Sequence, residues 1–232
     1  MRLSAHQPAY LPWLGLFHKI ASCDLFVILD TVPMSGPDAE EFSNRNRIKS
    51  HNGVQWLTVP VKRGLDVPHK DVQILNDRNW QRKHLKAIEN AYSKAPFFGE
   101  HIPWLRRFFY RQWNNLSDMN VCLMVDLMDC LGIKTQWMRA SERDFKGSKS
   151  GLILDMCRQL GATSFLFGPN GRSYADVVAF ESAGVKVSFQ DYQHPVYRQQ
   201  HGEFTPHLSV IDLLLNHGPE SRAILMGEKI VR

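Results

Sequence analysis

The run Leu25-Phe26-Val27-Ile28-Leu29 narrows the fold more than any other stretch of the chain. Five consecutive apolar residues rich in β-formers, closed by Asp30, suit a strand covered on both faces, as in a parallel sheet. Upstream, Arg2 to His6 is a short strand candidate ending in His6-Gln7-Pro8. Between the two, Pro12 can occupy a first helical turn, where its missing N–H costs little. Leu14, Phe17, His18 and Ala21 follow at helical spacing. Strand, helix and strand within this short span form a βαβ unit, whose crossover is right-handed.

The alternation returns in the last third. Ile133 to Met138 reads as a strand, Ser150 to Leu160 as a helix stopped by Gly161, and Ser164 to Phe167 as a strand. Tyr174 to Ala183 reads as a helix stopped by Gly184, and Val185 to Phe189 as a strand. The class is therefore α/β, with a Rossmann-like sheet that takes 2–6, 25–29, 164–167 and 185–189 as parallel strands of one sheet. The middle is different. Thr31 to Ser43 reads as a loop, Val54 to Val61 as a strand near an edge because of Pro60, and Val72 to Leu75 as a short strand. Asn79–Tyr92, Pro103–Trp113 and Ser117–Leu131 read as helices, the last stopped by Gly132. A final helix is expected over Pro206–Asn216, ended by Gly218-Pro219. The chain reads as a single α/β domain over 1–232 with a mainly helical insertion at about 77–132, because the outer βα units are each too small to stand alone.

Composition excludes several classes. With 44% hydrophobic residues, 13 Phe, 6 Tyr and 6 Trp, the chain cannot be low-complexity or disordered. No apolar run approaches the roughly 20 residues of a membrane helix, and the start lacks a signal-peptide core, so a soluble, cytoplasmic protein is expected. Cys23, Cys122, Cys130 and Cys157 form no CxxC, and the 10 His form no HExxH. No structural metal is expected, and no cofactor is called for. The formal charge of +5 without a basic run fits an anionic small molecule better than nucleic acid.

Four clusters carry chemistry. His6-Gln7-Pro8-Ala9-Tyr10-Leu11-Pro12-Trp13 lies at the carboxyl end of the first strand, where open parallel sheets bind ligands. Asn44-Arg45-Asn46-Arg47-Ile48-Lys49 combines cations with amides; an extended backbone puts Arg45, Arg47 and Lys49 on one face and Asn44 and Asn46 on the other. Arginine gives bidentate recognition of phosphate, and these cations are expected to face the pocket that holds His6. The strand ending at Phe167 runs into Gly168-Pro169-Asn170-Gly171-Arg172-Ser173-Tyr174, a turn able to offer N–H groups to an anion, with Gly168 and Tyr174 as candidates. Tyr192-Gln193-His194-Pro195-Val196-Tyr197 follows the last strand, and His194 and Tyr197 are its candidates. Each cluster also has a structural reading: a stiff turn, a solvated basic stretch, a plain connection and a tyrosine-anchored loop. No G-x-S-x-G is present, and Cys23 reads as structural.

Taken together, His6–Gly15, Asp24–Asp30, Asn44–Lys49, Trp56–Val61, Tyr192–Tyr197 and Leu208–Leu213 resemble the WbqC-like family, over about residues 3–218. The resemblance implies a setting in bacterial polysaccharide or specialised-metabolite biosynthesis, and acyl or aminoacyl transfer to the amine of an amino sugar. The opening strand, turn, helix and strand is also similar to that of the HIGH-motif nucleotidylyltransferases. Tyr10-Leu11-Pro12-Trp13 stands where the two motif histidines would be, which argues against adenylyl transfer.

For an amide-forming transferase, His6 is the natural base, held in one tautomer by a neighbour for which Asp30 is the candidate. Tyr10, Gln7 or backbone N–H groups would stabilise the oxyanion. Gln7, Trp13, Asn44, Arg45, Asn46, Arg47 and Lys49 would bind substrate. The partners are an anionic small molecule such as a nucleotide sugar, and an acyl or aminoacyl carrier; nucleic acid enters only as an aminoacyl-tRNA donor. The alternatives are a nucleotidylyltransferase-like or ATP-dependent ligase, and a non-catalytic biosynthetic module.

Overall fold

A computed structural model describes residues 1–34, 42–62 and 66–228. Arg2–His6 forms β1, Leu14–Ala21 α1 and Leu25–Ile28 β2. After the insertion come β7 (Gln136–Arg139), α5 (Lys149–Leu160), β8 (Ser164–Phe167), α6 (Val177–Ser182) and β9 (Lys186–Phe189). These five strands make one sheet in the order β7-β2-β1-β8-β9, and every pair is parallel. All four segments expected to share a sheet do so, and β7 joins them at the edge. Strand order reverses between β1 and β8, so their carboxyl ends mark the topological switch point.

The segment between β2 and β7 holds strands as well as helices. Arg45–Ser50 (β3) and Gly53–Thr58 (β4) pair as an antiparallel hairpin, and Val61–Lys62 (β5) pairs with Gln73–Ile74 (β6). Pro60 separates β4 from β5, dividing the single strand expected over 54–61, because proline cannot donate to a ladder. Trp80–Tyr92 (α2), Phe98–Tyr110 (α3) and Leu116–Cys130 (α4) follow. Helix α3 starts before Pro103 and leaves Trp113 outside it.

At the carboxyl end, Val210–His217 (α7) begins later than expected, because the Ser209 side chain accepts from the Ile211 N–H as its cap. Helix α6 is shortened likewise by Asp176, whose carboxylate accepts from the Ala179 N–H at 3.1 Å. Gly218-Pro219 does not end the helical region. It opens a 3-10 turn that leads into α8 (Ser221–Met226), since proline is tolerated in a first turn.

The sheet is covered on both faces, as the Leu25–Leu29 run requires. In β2, Phe26 and Ile28 enter a core built with α1, the insertion helices, α7 and α8. Val27 faces the opposite way, into a core with Leu3, Ala5, α5, α6 and the Phe165–Phe167–Phe180 cluster. Burying one such side chain contributes roughly 1.5–3 kcal/mol, so the alternation fixes which face each strand presents. No helix among the described residues is long and apolar enough to cross a membrane.

Candidate active site

The site is built outward from the end of β1. Pro8 and Pro12 bracket a turn in which Leu11 takes a left-handed backbone (φ 44°). Such a conformation is costly for leucine, and Asn46 secures it by donating Nδ2–H to the Leu11 carbonyl at 2.6 Å. The turn leaves Gln7 and Trp13 partly exposed while Ala9, Tyr10 and Leu11 sink into the core.

His6 lies between these groups. Its Nδ1–H donates to the Gln7 carbonyl at 2.8 Å, which leaves Nε2 with the free lone pair. Trp13 meets the imidazole edge-on at 5.4 Å between centroids. Burial, then the charge of Lys19, lower the His6 pKa to about 4, against the opposing pull of the Gln7 carbonyl; His69 adds a smaller push downward. The imidazole is therefore neutral at pH 7, a proton acceptor at Nε2 but a weaker base than a free histidine.

Two residues near His6 carry no signal in a motif reading. Lys19 sits beneath the switch point, buried, its Nζ donating to the Ala5 carbonyl at 2.7 Å. Burial pulls its pKa down to about 8. A Cβ built on Gly168 would lie 3.7 Å from that Nζ, so the turn after β8 reaches the same point. His69 is buried in the 3-10 turn between β5 and β6, bonded through Nε2 to the Ser43 hydroxyl at 2.8 Å and through Nδ1 to the Val32 carbonyl at 2.9 Å. Lys19 was hidden because a lysine on a helix normally reads as solvated; His69 because nothing in its neighbourhood forms a spaced motif.

Several expected site residues hold the framework instead. The Tyr10 hydroxyl bonds His84 Nδ1 at 2.8 Å inside the insertion, fully buried, and is turned away from His6. Asp30 does not orient His6: its two carboxylate oxygens accept from the Ser141 N–H at 2.9 Å and the Ser141 hydroxyl at 2.6 Å, anchoring the turn after β7. The Gln7 carbonyl takes the tautomer-fixing role. Asn44 donates to the Val59 carbonyl at 2.9 Å. Lys49 is buried and clamps the segment after β9, reaching the Gln199 amide oxygen at 3.2 Å and the Glu203 carbonyl. Tyr197 is buried, and Tyr174 packs on Phe167 at 5.9 Å rather than at the His6 tip. His194 bonds the Pro195 carbonyl and accepts from the His207 N–H. His207 in turn offers its carbonyl to Arg47 at 3.0 Å.

Arg45 and Arg47 are half-buried, and the Arg47 Nε is enclosed. Each guanidinium lies over Trp56 of β4, at 4.8 and 5.4 Å from the ring centroid. Trp56 stacks with Phe42 at 6.2 Å, Phe42 meets Trp13 at 5.3 Å, and Trp13 meets His6. Four rings thus connect the basic hairpin with the strand tip. Shallow cavities of about 540 and 460 Å³ lie elsewhere, one beside Arg2 and Cys23 at the amino ends of β1 and β8, the other beside Ser141 and Arg143 past β7. Cys23 is buried and its thiol is pushed up to about 12, which suits a structural role.

The WbqC-like protein family model matches residues 7–224, which span the turn that follows His6, the basic hairpin and the capped helix α7. The chain belongs to the WbqC-like family. It is 34% identical over 218 residues to the uncharacterized protein Rv1507c of Mycobacterium tuberculosis, an alignment that covers 93% of each chain. No solved structure matches it. Within this WbqC-like chain, the sequence segments that carry the resemblance meet around one framework. The Asn44–Lys49 segment ties the His6 turn through Asn46 and the segment after β9 through Lys49. The Leu208–Leu213 segment is tied to both, since the Ser209 N–H donates to the Arg47 carbonyl and the Val210 N–H to the Pro12 carbonyl.

Proposed function

We propose that this WbqC-like protein is an amide-forming acyl or aminoacyl transferase acting on the amine of an amino sugar or a similar amine. The observation that carries the reading is His6: a neutral imidazole at the carboxyl end of the central strand, its tautomer set by the Gln7 carbonyl, with Nε2 unengaged. In the step, the amine nitrogen attacks the acyl carbon and a new N–C bond forms. His6 Nε2 takes the amine proton, the ester or thioester bond breaks, and the proton passes to the leaving oxygen or sulfur. The Gln7 side-chain amide and backbone N–H groups stabilise the oxyanion, a task Tyr10 cannot share from the core.

A pKa near 4 makes His6 a modest base in the free protein. An anionic substrate beside it would favour the imidazolium, so basicity rises as the complex forms. The test begins with thermal shift against nucleotide sugars, ATP, acyl-CoA and aminoacyl donors. A ligand at 100 times its Kd stabilises by about 2.7 kcal/mol. Pairs that bind are then assayed for the amide product by mass spectrometry. His6→Ala is expected to lower turnover per folded molecule about 10²–10⁴-fold with an unchanged melting temperature. Near-normal turnover in folded His6→Ala would reduce His6 to a brace for the turn. Pyrophosphate released from ATP would instead support the adenylate-forming alternative.

A further inference from the structure

The outer face of the β3–β4 hairpin has a charge arrangement that fold stability alone does not call for. Strand alternation turns Asn46 and Ile48 into the core and puts Arg45 and Arg47 on the other face, where both are half-buried. The register sets Trp56 directly across from Arg47, with Arg45 on the diagonal, so both cations and the indole share one face. Trp56 is 46% exposed, and no carboxylate among the described residues pairs with either guanidinium. Arg47 uses one terminal nitrogen on the His207 carbonyl while its Nε is buried without a partner, and no hydrogen-bond partner of the Arg45 guanidinium stands among the described residues.

One cross-strand cation–π pair would be enough to brace a hairpin. Two guanidiniums on one indole, without an acid to balance them, leave net positive charge beside an aromatic ring that is still partly exposed. Arginine forks match phosphate oxygens, and a planar base can lie against exposed tryptophan. The Phe42 and Trp13 rings continue from that surface to His6.

We propose that this face binds a nucleoside 5′-diphosphate, with the diphosphate held by Arg45 and Arg47 and the base against Trp56. The inference rests on the transferase reading only for which end of the substrate reacts; binding itself needs no turnover. The nucleoside diphosphate could belong to a nucleotide sugar or to an adenine-containing donor, and the experiment separates them.

Isothermal titration with UDP, dTDP, ADP, uridine and inorganic pyrophosphate is performed on the full chain, followed by tryptophan fluorescence. At least one nucleoside diphosphate is expected to bind saturably, and to bind tighter than both uridine and pyrophosphate. Preference for UDP or dTDP assigns the site to a nucleotide sugar, and preference for ADP to an adenine donor; equal binding supports the shared diphosphate chemistry. Arg45→Gln is expected to weaken binding about tenfold and to flatten its salt dependence, while Trp56→Leu weakens the nucleoside diphosphate but not pyrophosphate. Melting curves confirm that both variants fold, and Arg45→Lys, which keeps the charge and loses the fork, is expected to fall between wild type and Arg45→Gln. Absence of saturable binding, or binding that both folded variants retain, would overturn the proposal even if the amide-forming assay succeeds. Conversely, diphosphate binding without amide formation would sink the transferase reading and leave this site standing.

Discussion

His6 and His84 share a physical state for different purposes. Each has a pKa lowered to about 4, chiefly by burial. His6 stands at the strand tip with an open nitrogen, whereas His84 is sealed between the Tyr10 hydroxyl and the Trp80 and Phe109 rings. The unfolded chain would protonate both near pH 6.5, the folded chain only near 4. Unfolding therefore takes up protons in that window, and stability rises with pH. The contribution is complete above about pH 6.5, is lost as the pH falls towards 4, and then levels off. For His84, the more enclosed of the two, the loss is on the order of 2 kcal/mol. Urea denaturation at pH 7 and at pH 4.5 measures the total, and the His84 ring-proton resonance by NMR assigns it. A midpoint near 6.5 for that resonance would refute the assignment. In the sequence His6 is marked only by its place at a strand end and His84 only by its place in a helix, since neither belongs to a spaced motif; the tertiary partners separate a candidate base from a filler of the core.

At the scale of elements, the βα alternation was legible because parallel strands covered on both faces leave uninterrupted apolar runs. The hairpin was not read as a hairpin, although Asn52-Gly53 carries the turn signal between Arg45–Ser50 and Val54–Thr58. The density of charge in Asn44–Lys49 drew attention to ligand binding and away from strand pairing. That density also concealed a division of labour: Asn44, Asn46 and Lys49 tie segments together, whereas Arg45 and Arg47 lay their guanidiniums over Trp56, Arg47 also holding the His207 carbonyl. The turn after β8 shows a similar economy. Gly168 comes near Lys19, but Gly171 is present for space: a Cβ there would lie 2.5 Å from the Phe167 Cβ. Its backbone is otherwise ordinary, so the penalty for Gly171→Ala is steric. That variant is expected to lose about 1–3 kcal/mol through forced repacking against Phe167. Chemical denaturation would show this as a lower midpoint with an unchanged slope; a midpoint equal to wild type would mean the turn yields freely.

The whole molecule depends on a strand made from its first residues. β1 is central, pairing Leu3 with Leu25 on one side and with Phe165 on the other. The Met1 ammonium donates to the Thr163 hydroxyl at 3.0 Å, and the Met1 carbonyl accepts from the Thr163 N–H at the same distance. Removing residues 1–3 is expected to abolish cooperative thermal unfolding, because it deletes part of the strand to which both halves of the sheet attach. A sharp calorimetric transition in the truncated chain would show that the halves cohere without it.

This central placement also sets a timetable. During synthesis, Arg2 through Ser4 emerge well before their partners Ser164 through Leu166 are translated. At about 5–20 residues per second the wait is roughly ten to thirty seconds. Throughout that interval one edge of the central strand has nothing to pair with, and an open apolar edge recruits other chains. Loop closure over such a separation is slow in the isolated chain as well. The nascent protein is therefore most exposed to aggregation before its last third exists, and a holding chaperone would act on the amino-terminal βαβ unit.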